Sequence, residues 1–265
     1  MAKPAKKAAK KPVAKAAAKK PLAHATDKKP PAKAVVAKQP ATGRKLSGSG
    51  GAAGGDKQRF TLYGSMLSGP TYTVGLALSL CRHPFSYIHV NLREGQHKQP
   101  DYLVKNRFGQ VPTLRDRQVF LVQSSAILEH IAETLGKFDG KSALERQRMR
   151  EWMFWNWDRL ALPVFRLRAR ARGLRQFGDE VRSMYDTEAK AALAVMEHEL
   201  LKSEWIVGKR ATIADVAIYA VLRYASEASI DLAPYPRVVA WKKRFEALPG
   251  FGTPEQILPM ESRLL

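Results

Sequence analysis

Lysine and proline crowd one end of the chain, and that asymmetry confines any folded core to the rest. Residues 1–55 hold fourteen Lys or Arg against the single acid Asp27, a net +13 of the total +21, which leaves +8 for residues 56–265. A segment this charged, with no aromatic side chain before residue 46, cannot bury enough apolar surface to offset the entropy of ordering it. Pro4, Pro12, Pro21, Pro30, Pro31 and Pro40 also break its Ala-Lys runs before a helix of more than about three turns can form. The whole chain is 45% hydrophobic, so the remainder has material for a core.

The stretch LSGSGGAAGG at residues 46–55 reads as a flexible joint, and residues 1–56 are expected to form a disordered tail and linker. A coil of this length reaches about 40 Å. Residues 1–45 can bind DNA or RNA phosphates by counterion release, without reading sequence and with a steep salt dependence. A solubilising spacer and a mitochondrial presequence are the alternatives, the second disfavoured by Lys and Pro in place of Arg and Ser. In composition alone the segment resembles the Lys-Ala-Pro tails of linker-histone-like proteins.

A single cysteine, Cys81, excludes an intrachain disulfide and a cysteine-rich metal site, so no metal is expected and a reducing compartment is the default. No run of 18 apolar residues occurs and no secretory leader is visible at the N-terminus. These features predict a cytoplasmic protein without membrane association, held near the nucleoid if the tail binds DNA.

From Arg59 the pattern changes to short alternating elements. A strand over 60–63, a break at GSMLSGPT, a helix over 73–82, a strand over 86–91, a short helix over 99–106, two more strands and a helix over 123–135 give the order β-α-β-α-β-β-α. With mostly short connections, that order suggests a small α/β sandwich. Beyond residue 141 every strong signal is helical. Ser142 is placed to cap a helix through LERQRMREWMFWNWDRLAL, which Pro163 is expected to kink or interrupt. Further helices are predicted over 179–202, 213–224 and 236–248. Thr212 and Asp215 have capping-box spacing, a structural role rather than a catalytic one.

The series LYGSMLSGP, EGQHK, GQVPTL and QSSAIL, in this order and spacing, resembles the glutathione-binding half of cytosolic glutathione transferases. The resemblance extends over nearly all of residues 59–249 and is closest to serine-type, bacterial-like members. It implies a thioredoxin-like domain over 57–137 followed by an all-helical domain over 142–255, an α/β plus all-α architecture behind the tail. It further implies glutathione as co-substrate, a small hydrophobic electrophile as second substrate, and a homodimer.

Residue by residue, the resemblance makes Pro112 a cis-proline that turns the Val111 backbone toward the glutathione cysteinyl group. Gln123 and Ser124 match the pair that receives the γ-glutamyl end at a helix start, where free N–H groups favour a carboxylate. Gln123 stands where an acid is frequent, and Ser124 can alternatively be only an N-cap. His97 and Lys98 match basic positions facing the glycine carboxylate, with Gln110 nearby, or are solvated loop charges. Ser68 aligns with the catalytic hydroxyl that hydrogen-bonds the thiolate, Ser65 and Thr71 being the alternatives. No cysteine occurs in that loop, which argues against the disulfide-exchange chemistry of cysteine-type members.

Cys81 is expected to be a small packed residue. Trp152, Phe154, Trp155 and Trp157 are expected mainly to pack, although aromatics followed by Arg166, Arg168, Arg170 and Arg172 also suit stacking on bases. That arginine row reads either as a solvated patch or as one favouring acidic electrophiles. Against the enzyme stands a second reading, a non-catalytic transferase-fold dimerisation module anchored to DNA or RNA by the tail.

Overall fold

The computed structural model describes residues 59–259, so the basic tail and its expected disorder lie outside the described residues. Strand β1 (Phe60–Gly64) is followed by helix α1 (Gly69–Leu80), strand β2 (Phe85–His89), a 3-10 turn (Gln96–Lys98) and the short helix α2 (Pro100–Leu103). Strands β3 (Thr113–Asp116) and β4 (Val119–Val122) and helix α3 (Ser124–Leu135) complete this half. The four strands lie in the order β2-β1-β3-β4. β1 pairs parallel with β2, while β3 pairs antiparallel with both β1 and β4. This is the thioredoxin-like sheet anticipated from the motifs.

Helix α1 begins four residues earlier than the apolar periodicity suggests. Gly69-Pro70 looks like a chain breaker, but proline is favoured in a helix's first turn, where its missing N–H has no partner to lose. Ser68 caps that turn, its Oγ accepting the Thr71 N–H at 3.3 Å. Ten of the twelve α1 residues are buried, because the helix is sandwiched between the sheet and the helical half, packing on α3 and on α7 (Ile213–Leu222). Cys81, just past its end, is buried as expected, and burial pushes its thiol up to about 11. Gly250 approaches the Ser79 carbonyl so closely that a Cβ there would sit 2.4 Å from the oxygen. The approach lets Ser79 Oγ donate to the Gly250 carbonyl and lace the C-terminal segment onto α1.

The helical half comprises α4 (Ala143–Trp155), α5 (Leu162–Ala171), α6 (Asp179–Glu199), α7, α8 (Pro236–Glu246) and the short α9 (Pro254–Ile257). Ser142 caps α4 by accepting the Glu145 N–H at 3.1 Å. The helix that starts after Ser142 is interrupted before Pro163, as expected, although not by a simple break. A π-helical stretch, Asn156–Ala161, joins α4 to α5 and absorbs the donor that proline lacks by widening the turns before it.

All ten residues of α7 are buried, which makes it the axis of the half. The capping box forms, and the buried Asp215 carboxylate accepts four donors at 2.8–3.0 Å: the N–H and hydroxyl of Thr212, the Ile206 N–H and the Trp241 indole. Burial pushes this carboxyl up, against the downward pull of those donors. Asp215 lies in the core and serves folding.

Candidate functional site

A cavity of about 760 Å³ lies between the sheet half and α4 with its π turn. His97, Lys98, Gln110, Val111, Pro112, Gln123 and Ser124 all line it, every residue matched to a site role from the sequence apart from the candidate hydroxyls Ser68, Ser65 and Thr71. Ser68 is not among the lining residues, although Pro70, two positions on, is. On the helical side Met153, Phe154 and Trp157 form an apolar wall.

The Val111–Pro112 bond is cis. Its loop is braced from α2 and the turn that follows. Tyr102 Oη donates to the Gln110 carbonyl at 2.9 Å, and the Asn106 side-chain amide donates to the same carbonyl at 2.7 Å. Asn106 also reaches Thr113 Oγ1 at 3.2 Å and accepts the Phe108 N–H at 3.1 Å. Neither Tyr102 nor Asn106 carries a sequence signal for this work beyond membership of a short helical stretch.

Lys98 lines the cavity but is already engaged, its ammonium donating to the Gly109 carbonyl at 2.7 Å. His97 is different: its Nδ1 is buried with no protein partner. Burial, then the nearby Lys98 charge, lowers the His97 pKa below its ordinary value, which favours the neutral ring when no ligand is bound.

Gln123 occupies the N-cap position of α3 with a positive φ of 69°, a conformation that costs a non-glycine residue of order 1–3 kcal/mol. Ser124 is therefore the first residue of the helix and not its cap. The sharp turn leaves the start of α3, with its free N–H groups and the Ser124 hydroxyl, at the cavity wall, a geometry suited to a carboxylate. Ser125, the next residue, accepts the Trp157 indole N–H at 2.8 Å, so the two halves are tied across the site.

Ser65, in the loop after β1, and Thr71, in the first turn of α1, are both buried. Ser65 Oγ accepts the Leu67 N–H, and Thr71 Oγ1 accepts the Ser65 N–H, each at 3.4 Å. Ser68 is half-buried, and since its oxygen accepts from Thr71 its hydroxyl proton stays available to a ligand.

The aromatic and arginine stretch resolves into separate tasks. Trp152 and Trp155 pack edge-to-face at 4.9 Å against the core, whereas Phe154 is 74% exposed. The arginine row is not one solvated patch: Arg168 is buried, Arg170 pairs with Asp179 at 2.9 Å and Arg172 with Glu227 at 3.4 Å. Among the described residues no group of His, Cys, Asp and Glu is arranged to hold a metal, and no helix is long and apolar enough to cross a membrane.

A thioredoxin-like sheet with a cis-proline loop, facing an all-helical half across one cavity, defines the two-part transferase architecture. The glutathione S-transferase N-terminal domain model matches residues 58–133 and the C-terminal domain model residues 165–249. Maleylacetoacetate isomerase of Rhizobium meliloti is 30% identical over 204 residues, 72% of this chain and 92% of that protein. A disulfide-bond oxidoreductase of Escherichia coli is 26% identical, over 68% of this chain and 87% of its own length. The crystal structure of a glutathione S-transferase from Xanthobacter autotrophicus matches with a TM-score of 0.68 at 33% identity, covering 75% of this chain and 100% of that one. The chain belongs to the glutathione S-transferase family.

Proposed function

We propose that the protein is a glutathione S-transferase that binds glutathione in the cavity beside the cis-proline loop and activates its thiolate for attack on a hydrophobic electrophile. The observation that carries this reading is the convergence of His97, Gln110, Val111, Pro112, Gln123 and Ser124 on a single cavity. The γ-glutamyl carboxylate meets the start of α3, the cysteinyl backbone pairs with Val111, and the glycine carboxylate meets His97 with Gln110 alongside. Ser68 donates its free hydroxyl proton to the sulfur, favouring the thiolate. Lowering a thiol pKa from about 8.5 by two units needs roughly 2.7 kcal/mol, within reach of one hydroxyl and a helix start. The electrophile then lies against Met153, Phe154 and Trp157.

The exposed Val104, Phe108 and Val119 supply apolar surface for the homodimer this reading includes. Residues 1–45 add salt-sensitive binding to DNA or RNA, which two tails per dimer would strengthen through effective concentration, and which would hold a cytoplasmic enzyme near the nucleoid. The position of Ser68 outside the cavity lining favours the alternative, a transferase fold kept as a non-catalytic interaction module.

Calorimetric titration of glutathione into the full chain, beside a Ser68→Ala variant, tests both. Wild-type binding with loss of thiol ionisation in the variant supports the enzyme and the Ser68 assignment. Absence of binding at millimolar glutathione removes the catalytic reading and leaves the interaction module. Loss of DNA binding on deleting residues 1–55, with catalysis unchanged, supports the role of the tail.

A further inference from the structure

Arg168 is the one buried Lys or Arg among the described residues, and its contacts lead to the loop that carries Ser68. Its Nη1 donates to the Leu67 carbonyl at 3.1 Å, its Nε donates to Glu227 at 2.9 Å, and its guanidinium lies 3.7 Å from the centre of the Tyr224 ring. The Leu67 carbonyl belongs to the peptide that leads into Ser68. The N–H of that same peptide donates to the Ser65 carbonyl at 2.9 Å, so the peptide plane is held at both ends. With Ser68 Oγ also held by the Thr71 N–H, the position from which that hydroxyl can donate depends on this plane.

The next residue, Gly69, is pressed just as closely from the helical half. A Cβ there would stand 2.5 Å from Phe165 and 3.3 Å from Tyr224. Phe165 and Arg168 from α5, with Tyr224 and Glu227 from beyond α7, thus close on the Leu67-Ser68-Gly69 segment. A buried cation carries a desolvation cost that an apolar residue of similar size would avoid. Its position beside the loop does two things an apolar residue cannot: it grips a carbonyl, and it places positive charge behind Ser68.

We infer that Arg168 is a positioning residue for thiol activation, orienting Ser68 through the Leu67 carbonyl and biasing the glutathione sulfur toward its anion, with Glu227 moderating that charge. This rests on the proposed glutathione chemistry. The two partners have opposite effects. Removing the guanidinium disfavours the thiolate, whereas neutralising Glu227 leaves the guanidinium on Leu67 with less compensation and favours it.

The experiment follows the ultraviolet absorbance of the thiolate of bound glutathione across pH in the full chain, for wild type, Arg168→Met, Arg168→Lys and Glu227→Gln, with kcat and KM alongside. The thiol pKa is expected to rise by about half a unit or more in Arg168→Met and to fall in Glu227→Gln. Arg168→Lys, which keeps the charge and loses the fork, is expected to lie between wild type and Arg168→Met. At neutral pH kcat drops at least about threefold in Arg168→Met while KM for glutathione changes little, since the cavity residues are untouched. Should Arg168→Met fail to fold, the lysine and Glu227→Gln variants carry the same opposite-sign test. Wild-type ionisation with all variants titrating alike overturns the role of Arg168 and leaves the transferase reading standing. A wild type that binds glutathione without ionising it, or does not bind it, overturns both.

Discussion

The Trp157 indole N–H, from the π turn of the helical half, donates to the Ser125 hydroxyl at the start of α3, 2.8 Å away. The bond spans the cavity wall and fixes the first turn of α3, which the proposed function uses to hold a carboxylate. Substituting Trp157→Phe keeps an aromatic ring in the wall and removes only the donor. A net hydrogen bond is worth about 1 kcal/mol, so glutathione should bind roughly fivefold more weakly by calorimetry. Unchanged affinity would show that α3 holds its first turn unaided.

Asp215 is the most heavily satisfied buried carboxylate in the helical half. Its replacement by alanine strands the Ile206 and Thr212 N–H groups and the Trp241 indole away from water, at about 1–3 kcal/mol for each buried donor left unpaired. After partial relaxation the net loss is expected near 4 kcal/mol, or about 10 °C in Tm. Glutathione affinity in the remaining folded fraction should match wild type at low temperature. A specific loss of binding with Tm preserved would instead place Asp215 in the site.

The unpartnered His97 Nδ1 leads to a pH prediction for ligand affinity. S-methylglutathione, which has no thiol to titrate, isolates the effect. A carboxylate favours protonated imidazole, and burial holds the His97 pKa below its ordinary value. Affinity should therefore rise as pH falls, from where the carboxylate-bound imidazole protonates down to the lowered value of the free site. A His97→Gln variant should show a flat profile, and an unchanged slope in that variant would assign the titration to another group.

Much of the cavity lining was legible because its residues fall in short local runs. Gln110, Val111 and Pro112 are consecutive, as are Gln123 and Ser124, so each short run is recognisable as a turn, although the brace that Tyr102 and Asn106 give the first is not. Helix α1 was misplaced at its start because Gly69-Pro70 looks the same whether it ends one element or opens another; the Ser68 cap decides it. The π turn before Pro163 was hidden for a related reason, since proline announces a missing donor but not how the chain absorbs it. Arg168 could not be read at all. Its partners Leu67 and Glu227 stand 101 and 59 residues away, and in the sequence it is one of four alternating arginines. Burial, which depends on tertiary packing, separates it from Arg170 and Arg172.

The final prediction concerns stability in acid and turns on Asp116 at the end of β3. Its carboxylate accepts both Arg59 Nε and Nη2 at 2.8 Å, a bidentate pair, and meets His130 Nε2 of α3 at 2.8 Å. The residue before β1, the end of β3 and helix α3 therefore meet on one side chain that is only 8% exposed. The Arg59 hydrogen bonds, assisted by His130 and opposed by burial, hold the Asp116 carboxyl below the usual carboxylate range. A carboxyl lowered on folding stabilises the folded state in full above its unfolded value of about 3.9, and that contribution disappears as pH falls through the folded value. The urea midpoint of wild type should thus decline below about pH 4, toward that of Asp116→Asn, which at pH 7 should be less stable by about 2 kcal/mol. Urea titrations of both proteins at pH 7 and across the acid range provide the check. A gap between them that stays constant down to strong acid would mean the carboxylate charge contributes nothing, leaving hydrogen-bond geometry as the cause of any difference.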